Sequence, residues 1–99
     1  MKGYWLILSD SAKDQEAQAM YGKLWTPIAE KYSAKFKVLN TQTVLMETCG
    51  YTRTLIVEFD SYSQALACYQ DEAYQAAKVF AQKASKREFL ILEGEPPRG

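Results

Sequence analysis

Residues 57–75 read VEFDSYSQALACYQDEAYQ, and this stretch predicts a β-strand that runs directly into a helix. The strand covers residues 52–59, which are rich in β-branched and aromatic side chains. Ser61 is followed three residues later by Gln64, a capping-box pattern that opens a helix. We expect that helix to continue to about Ser85.

Two helices are predicted, and each contains a point of interruption. The first lies within residues 12–33, where apolar side chains recur at helical spacing. Pro27 predicts a kink or a restart in it, because proline cannot donate a hydrogen bond to the preceding turn. In the second helix, the acidic pair Asp71–Glu72 marks an interruption or the start of a second piece, since acidic side chains favour the first turn of a helix.

Four strands complete the order βαββαβ. The strands are predicted at residues 4–9, from Lys35 to a turn at Cys49–Gly50, at 52–59 and at 87–94. This order is typical of the ferredoxin-like α+β fold, with two helices on a four-stranded antiparallel sheet. We expect one domain over residues 1–94, followed by a polar tail at 95–99.

The predicted sheet is apolar on both faces, although the helices cover only one. The first strand has Trp5 and Ile7 on one side and Leu6 and Leu8 on the other, and the last strand shows the same pattern. Leaving several such side chains in water forfeits roughly 1.5–3 kcal/mol each. We therefore expect a homodimer, in which a second copy packs on the uncovered face and completes a dimeric α+β barrel. The alternative is that some of these residues are ordinary exposed hydrophobic residues.

Composition excludes several classes of function. The formal net charge is zero, so we expect no nucleic-acid partner and no membrane surface as a partner. The chain has no histidine, which excludes a Ser-His-Asp triad and a histidine-ligated haem. Two isolated cysteines, Cys49 and Cys68, make a poor zinc site and no disulfide framework. We expect no metal and no cofactor, and a cytoplasmic location.

Glu58 is the best single candidate for a catalytic residue. It stands at the end of the third strand, beside the start of a helix, where apolar neighbours can tune a carboxylate to act as a base or to anchor a ligand. The alternative is a structural carboxylate that accepts hydrogen bonds from backbone amides at the junction or pairs with a lysine.

Aromatic side chains on the helix faces predict a pocket between the helices and the sheet. Such a pocket suits a small planar ligand, whereas ordinary core packing is the alternative for each ring. Besides Glu58, the predicted ligand-binding residues are Tyr21, Trp25, Tyr69 and Phe80.

Two residues are assigned to the dimer interface. The period-two pattern places Arg53 on the face opposite Glu58, so the two do not pair within one chain. For Arg53 we favour a salt bridge to a carboxylate of the second copy over an anion site. Tyr74 either contacts the second copy or stabilises the interruption of the helix.

The sequence resembles the domain-of-unknown-function 1330 family over nearly its whole length. The shared pattern is an Arg early in the third strand, Glu-Phe-x-Ser at the junction with the helix, a Tyr within the helix, and then Glu-x-Tyr-Gln. The matching positions are Tyr21, Arg53, Glu58, Phe59, Ser61, Ala65, Tyr69 and Glu72–Gln75. The chain departs from the family at Ser33–Ala34, where a glycine pair is frequent, and at Ala81, where an Arg is frequent.

Members of that family look like dimeric α+β barrels, within the wider superfamily of antibiotic-biosynthesis monooxygenases. The resemblance therefore implies the fold and the dimer, but no settled activity. Two functions stay open. One is binding of a small apolar or aromatic metabolite, with or without cofactor-free monooxygenase-like or isomerase-like catalysis; the other is a non-catalytic interaction or structural module.

Overall fold

The structure is a computed structural model that describes residues 1–38 and 50–94. Its elements are β1 (Lys2–Ser9), α1 (Gln15–Lys31), β2 (Lys35–Val38), β3 (Arg53–Phe59), α2 (Tyr62–Gln70), α3 (Glu72–Ala84) and β4 (Arg87–Gly94). The strands form one antiparallel sheet in the order β2-β3-β1-β4. The predicted α+β ferredoxin-like fold is confirmed. The rest of the second strand and the tail lie outside the described residues.

The strand register divides the sheet into two faces. On the helix-covered face, Trp5 of β1 stands opposite Val57 of β3 and Ile91 of β4. On the other face, Leu6 stands opposite Ile56 and Leu90. We call this second surface the open face; its apolar members are Tyr4, Leu6, Leu8, Ile56, Leu90 and Leu92. The prediction that apolar side chains occupy both faces is confirmed.

The core is centred on Trp5, whose side chain is fully buried. Its ring packs against aromatic rings from every helix and from both neighbouring strands, with centroids 4.8–6.1 Å apart. These partners are Trp25, Phe59, Tyr69, Tyr74 and Phe89. The indole Nε1 donates a hydrogen bond of 3.0 Å to the backbone carbonyl of Ala65 in α2.

The predicted start and interruption of the second helix are both confirmed. The Ser61 hydroxyl accepts a hydrogen bond from the Gln64 amide and caps α2. Asp71 ends α2 and caps α3, accepting from the Ala73 amide at 2.8 Å. Gln75 spans the break, because its side-chain amide donates to the Tyr69 carbonyl.

Some details of the helices differ from the sequence-based expectation. α1 continues through Pro27 without a restart. Two residues outside the expected buried stripe are fully buried, Cys68 on α2 and Tyr74 on α3. The break at Asp71 shifts the stripe on α3 and so turns Tyr74 inward. Burial raises the pKa of the Cys68 thiol to about 12, which makes it a poor nucleophile.

Gly3 allows α2 to lie directly on β1. A Cβ atom at this position would stand 2.6 Å from the Ser61 carbonyl oxygen and 2.7 Å from the Tyr62 Cα. Both neighbours are backbone atoms, which cannot move aside unless α2 moves as well.

The substitution Gly3→Ala is therefore expected to destabilise the protein by about 1–3 kcal/mol, because α2 must retreat from the sheet. Gly22→Ala is the matched control. Gly22 lies within α1, where a Cβ would meet no atom within 4 Å, so alanine should stabilise by up to about 1 kcal/mol through helix propensity. Urea unfolding followed by circular dichroism measures both. Equal stability of the two variants would contradict the close approach.

Asp71 also ties the end of α1 to the α2–α3 break. Its carboxylate accepts hydrogen bonds from the Tyr32 hydroxyl at 2.6 Å and from the Lys31 ammonium at 2.9 Å. These two donors, with the Ala73 amide, lower the pKa of Asp71 to about 2. A carboxyl whose pKa is lower in the folded state stabilises the fold above its ordinary pKa and loses that effect as the pH falls through the lowered one.

Asp71→Asn is expected to lower the melting temperature by about 3–6 °C at pH 7, because asparagine retains the cap but not the charge. The difference in melting temperature between this variant and the original protein should shrink as the pH falls from about 4 to about 2. Thermal unfolding across this pH range measures it. Glu72→Gln is the control, because it removes the same charge from the neighbouring residue, which has no described hydrogen bond or ion pair to α1. Its melting temperature should differ less from that of the original protein. A pH-independent difference for Asp71→Asn would refute the assignment.

Candidate ligand cavity

A cavity of about 180 Å³ lies between α1 and the helix-covered face of the sheet. α1 packs more extensively on α3 than on the strands, which leaves space between α1 and the sheet. Its walls are mostly apolar and aromatic. The lining residues with large apolar side chains are Trp5, Ile7, Tyr21, Trp25, Phe36, Leu55 and Val57. Trp25 and Phe36 also line a surface groove along the C-terminal half of α1, so the cavity adjoins the protein surface there.

One end of the cavity is polar and cationic. Arg53 of β3 and Arg87 of β4 both stand opposite Ser9 of β1, on the helix-covered face. These three residues also line a smaller space of about 40 Å³ that continues from the main cavity. Gln18 of α1 lines both spaces. The cavity therefore combines aromatic walls with two guanidinium groups at one end.

Arg87 is held in place by two tyrosines. Its guanidinium donates a hydrogen bond of 2.9 Å to the Tyr74 hydroxyl, which lies 3.1 Å from the Tyr21 hydroxyl. Burial by itself would lower the pKa of Arg87, but the two tyrosines outweigh it and the pKa is raised. Burial and the neighbouring Tyr21 raise the pKa of Tyr74, so it stays a neutral phenol.

This chain of hydroxyl groups defines what the site can offer a ligand. An arginine only donates hydrogen bonds, so the Tyr74 oxygen accepts one from Arg87, and the Tyr74 hydroxyl can donate one to the Tyr21 oxygen. Tyr21, which lines the cavity, can then donate a hydrogen bond to a bound molecule. Guanidinium and phenol donors together stabilise a negative oxygen, whether it belongs to a ligand or develops during a reaction.

No carboxylate neutralises the two arginines within the described parts of the chain. Every ion pair found there uses a lysine, and none includes Arg53 or Arg87. Arg87 instead lies over the rings of Tyr21 and Phe89, at 5.4 and 5.2 Å from their centroids. Counting only the residues that the structure describes, the polar end of the cavity carries positive charge.

The predicted ligand-binding residues are divided among several locations. Tyr21 and Trp25 line the cavity. Tyr69 packs on Trp5 from the α2 side, and Phe80 is half-buried on α3; neither lines this cavity. Glu58 lies on the open face, where its carboxylate is 3.8 Å from the ammonium groups of Lys2 and Lys37. Glu58 thus has the structural arrangement considered as the alternative to a catalytic role, a carboxylate paired with lysine.

The two residues expected at a dimer interface lie on the helix-covered side. Tyr74 is fully buried within the protomer, so its side chain has no surface left for a partner. The Tyr74 hydroxyl contacts Arg87 instead. Tyr74 lies in the first turn of α3, so the helix interruption at Asp71 sets its position. Arg53 is half-buried and lines the cavity. Arg53 therefore lies on the side of the sheet that borders the cavity, and not on the open face.

Arg87, Ser9 and Gln18 were not among the predicted site residues. A signal for Arg87 is present in the sequence, because period-two alternation puts it on the same face as Phe89 and Ile91. In the strand order of a ferredoxin-like sheet, the first strand lies between the third and the last. Arg53 and Arg87 can therefore be expected to flank that strand.

The described residues contain no group of three acidic or cysteine side chains placed to hold a metal ion. Within the same residues, no helix is long and apolar enough to cross a membrane. The cytoplasmic location stays a prediction.

The fold and the sequence pattern together place the chain among α+β proteins with a ferredoxin-like sheet. Residues 2–95 match the family described as Domain of unknown function (DUF1330), and the chain belongs to that family. The resemblance noted in its sequence is thus confirmed. Among curated proteins, none matches this chain.

Solved structures with this fold share little sequence with the chain. A protein of unknown function from Rhodopseudomonas palustris superimposes with a TM-score of 0.70 at 19% identity, over 97% of this chain and 84% of that one. A dimeric ferredoxin-like protein of unknown function from Jannaschia sp. CCS1 gives 0.68 at 10% identity, over 95% and 100%. SnoaB, a cofactor-independent oxygenase from Streptomyces nogalater, gives 0.65 at 9% identity, over 97% and 95%. At these identities the likeness shows a shared fold alone.

Proposed function

We propose that this protein is a homodimer that binds a small organic molecule, about the size of one aromatic ring, in the cavity between α1 and the sheet. The observation that carries the proposal is the cavity itself. A space of about 180 Å³, lined largely by aromatic and aliphatic side chains, adjoins the hydrophobic core. The side chains that line such a cavity lack protein contacts on one side, so its presence beside two arginines favours a binding role over poor packing.

The volume limits the size of the ligand. A cavity of about 150 Å³ lined by apolar side chains accepts benzene, whereas drug-sized ligands occupy pockets of about 300 Å³ or more. The space measured here thus suits one ring with a small substituent. The adjoining groove by Trp25 and Phe36 leaves room for a longer substituent to reach the surface.

Catalysis is a second part of the hypothesis. The fold supports cofactor-independent oxygenation in SnoaB, and Tyr21, Arg53 and Arg87 are the groups placed to stabilise a negative oxygen on a bound molecule. Glu58, the earlier candidate base, faces away from this cavity. The alternative of a non-catalytic interaction module draws its support from the apolar open face alone.

Binding can be tested with three one-ring probes: benzoate, benzamide and benzyl alcohol. The protein's two tryptophans, Trp5 and Trp25, both line the cavity, so a bound ring should change the intrinsic fluorescence saturably at one molecule per chain. At least one probe is expected to bind with a millimolar or lower dissociation constant. Failure of all three probes would refute binding of one-ring molecules.

Gly22→Leu serves as the matched variant in this titration. Gly22 lines the cavity, and a Cβ there meets no other atom within 4 Å, so leucine should obstruct the space without lowering stability. Loss of the fluorescence response in a variant with an unchanged melting temperature would locate the bound probe. An unchanged response would place the probe elsewhere.

The open face supports the homodimer. Leu90 and Leu92 are 42% and 44% exposed, although they belong to a continuous apolar surface with their neighbours on β1 and β3. Burying such a surface against a second copy removes several large side chains from water at roughly 25 cal/mol per Å². A two-fold axis matches the face to itself. The dimeric Jannaschia protein shows that proteins of this fold form dimers.

Leu90→Asp is expected to raise the dimer dissociation constant on the order of 100-fold or more, because each dimer would bury two unpaired carboxylates. Val79→Asp is the control: Val79 is 59% exposed but lies on α3, away from the open face. Native mass spectrometry over a range of protein concentrations measures both. A monomeric original protein, or a Leu90→Asp variant that remains dimeric, would exclude this interface.

A further inference from the structure

We propose that the ligand of this cavity is an aromatic carboxylate, with its ring among the tryptophans and its carboxylate between Arg53 and Arg87. This inference rests on the proposed function and specifies the class of molecule that the same site takes. It also replaces the sequence-based preference, in which Arg53 paired with a carboxylate of a second copy.

The strand register places the two arginines in a suitable arrangement. Both pair with Ser9, one from each side of β1, and both point to the helix-covered face. Neighbouring strands lie about 4.8 Å apart, so the two Cα atoms are separated by roughly 10 Å. Side chains as long as arginine can converge from that distance on one group above Ser9. A carboxylate can then accept from each guanidinium.

Charge provides the second argument. Two guanidinium groups share one partly buried cavity, and no carboxylate in the described residues lies within ion-pair distance of either. Like charges in a partly desolvated space repel, and removing them from water carries a further cost. A bound anion offsets both costs through its attraction to the two guanidinium groups. Planar guanidinium groups are also the side chains that best match the geometry of a carboxylate.

The remaining polar groups at this end can all serve as donors. Tyr21 can donate its hydroxyl proton, and the Gln18 amide and the Ser9 hydroxyl line the same space. Arg87 is already oriented by its hydrogen bond to Tyr74, so little ordering is needed when an anion arrives. The site is consequently organised to receive negative charge.

The size of the polar end favours a carboxylate over a phosphate. The extension between Arg53, Arg87 and Ser9 measures only about 40 Å³. A planar group with two oxygens fits such a space more readily than a tetrahedral group with three or four. The aromatic walls then hold the ring to which the carboxylate is attached.

The test compares benzoate with benzamide, which has the same ring and a planar neutral group in place of the carboxylate. Both are titrated at neutral pH into the intact protein, with the fluorescence of Trp5 and Trp25 as the readout. We expect benzoate to bind at least about 10-fold more tightly, since hydrogen bonds to charged groups are the stronger ones. Phenyl phosphate and inorganic phosphate are titrated in parallel.

Arg53→Gln is the decisive variant, because none of the described hydrogen bonds or ion pairs involves the Arg53 side chain. It should weaken benzoate binding by about 10-fold or more and leave the affinity for benzamide unchanged. Lys86→Gln removes the same charge from the residue next to Arg87 but outside the cavity, and should change benzoate binding far less. Thermal unfolding of each variant confirms that the fold is retained.

Each outcome has a distinct meaning. Benzoate binding that needs Arg53 and not Lys86 supports the inference. Equal affinities for benzoate and benzamide, or benzoate binding unaffected by Arg53→Gln, would overturn it and leave the proposed cavity function standing. Tighter binding of phenyl phosphate or inorganic phosphate would overturn the carboxylate assignment. Absence of binding by every probe would overturn the proposed function and this inference with it.

Discussion

The burial of Trp5 is the constraint on which the rest of the structure depends. Its ring rises from β1, one of the two central strands of the sheet, and contacts aromatic side chains from α1, α2, α3, β3 and β4. Its only polar atom is satisfied by the Ala65 carbonyl, which fixes the height of α2 above the sheet. The absence of a side chain at Gly3 lets α2 come that close. Trp5 also lines the cavity.

The break between α2 and α3 has consequences for the cavity. Asp71 ends one helix, starts the next and binds the end of α1 through Lys31 and Tyr32. A continuous helix would rotate every later residue about its axis, since each residue advances by about 100°. With the break, Tyr74 points into the core and meets Arg87 and Tyr21. The helix break at Asp71, three residues before Tyr74, thus helps to position Arg87 at the polar end of the cavity.

The two faces of the sheet divide charge and hydrophobicity in an unusual way. The helix-covered face, which is the interior, contains two arginines without a carboxylate partner among the described residues. The open face carries a continuous apolar surface, with the Glu58–lysine ion pairs at one end of it. An ordinary isolated domain would have the charged side chains on the exposed face and the apolar side chains on the covered face. A ligand of opposite charge on one side and a second copy on the other would relieve both.

The sequence by itself determined the local structure and its order. Period-two alternation located the strands, the Ser61–Gln64 pair located the start of α2, and the acidic pair located the break, because hydrogen bonding and helix dipoles act over a few residues. The same alternation correctly put Arg53 and Glu58 on opposite faces. Only the tertiary structure decided which partners each of them meets. Arg53 and Arg87 are distant in sequence and share a cavity solely because β3 and β4 both pair with β1. Glu58 meets Lys37 only because β2 pairs with β3, and Tyr74 turns inward only once Trp5 has set where the helices pack.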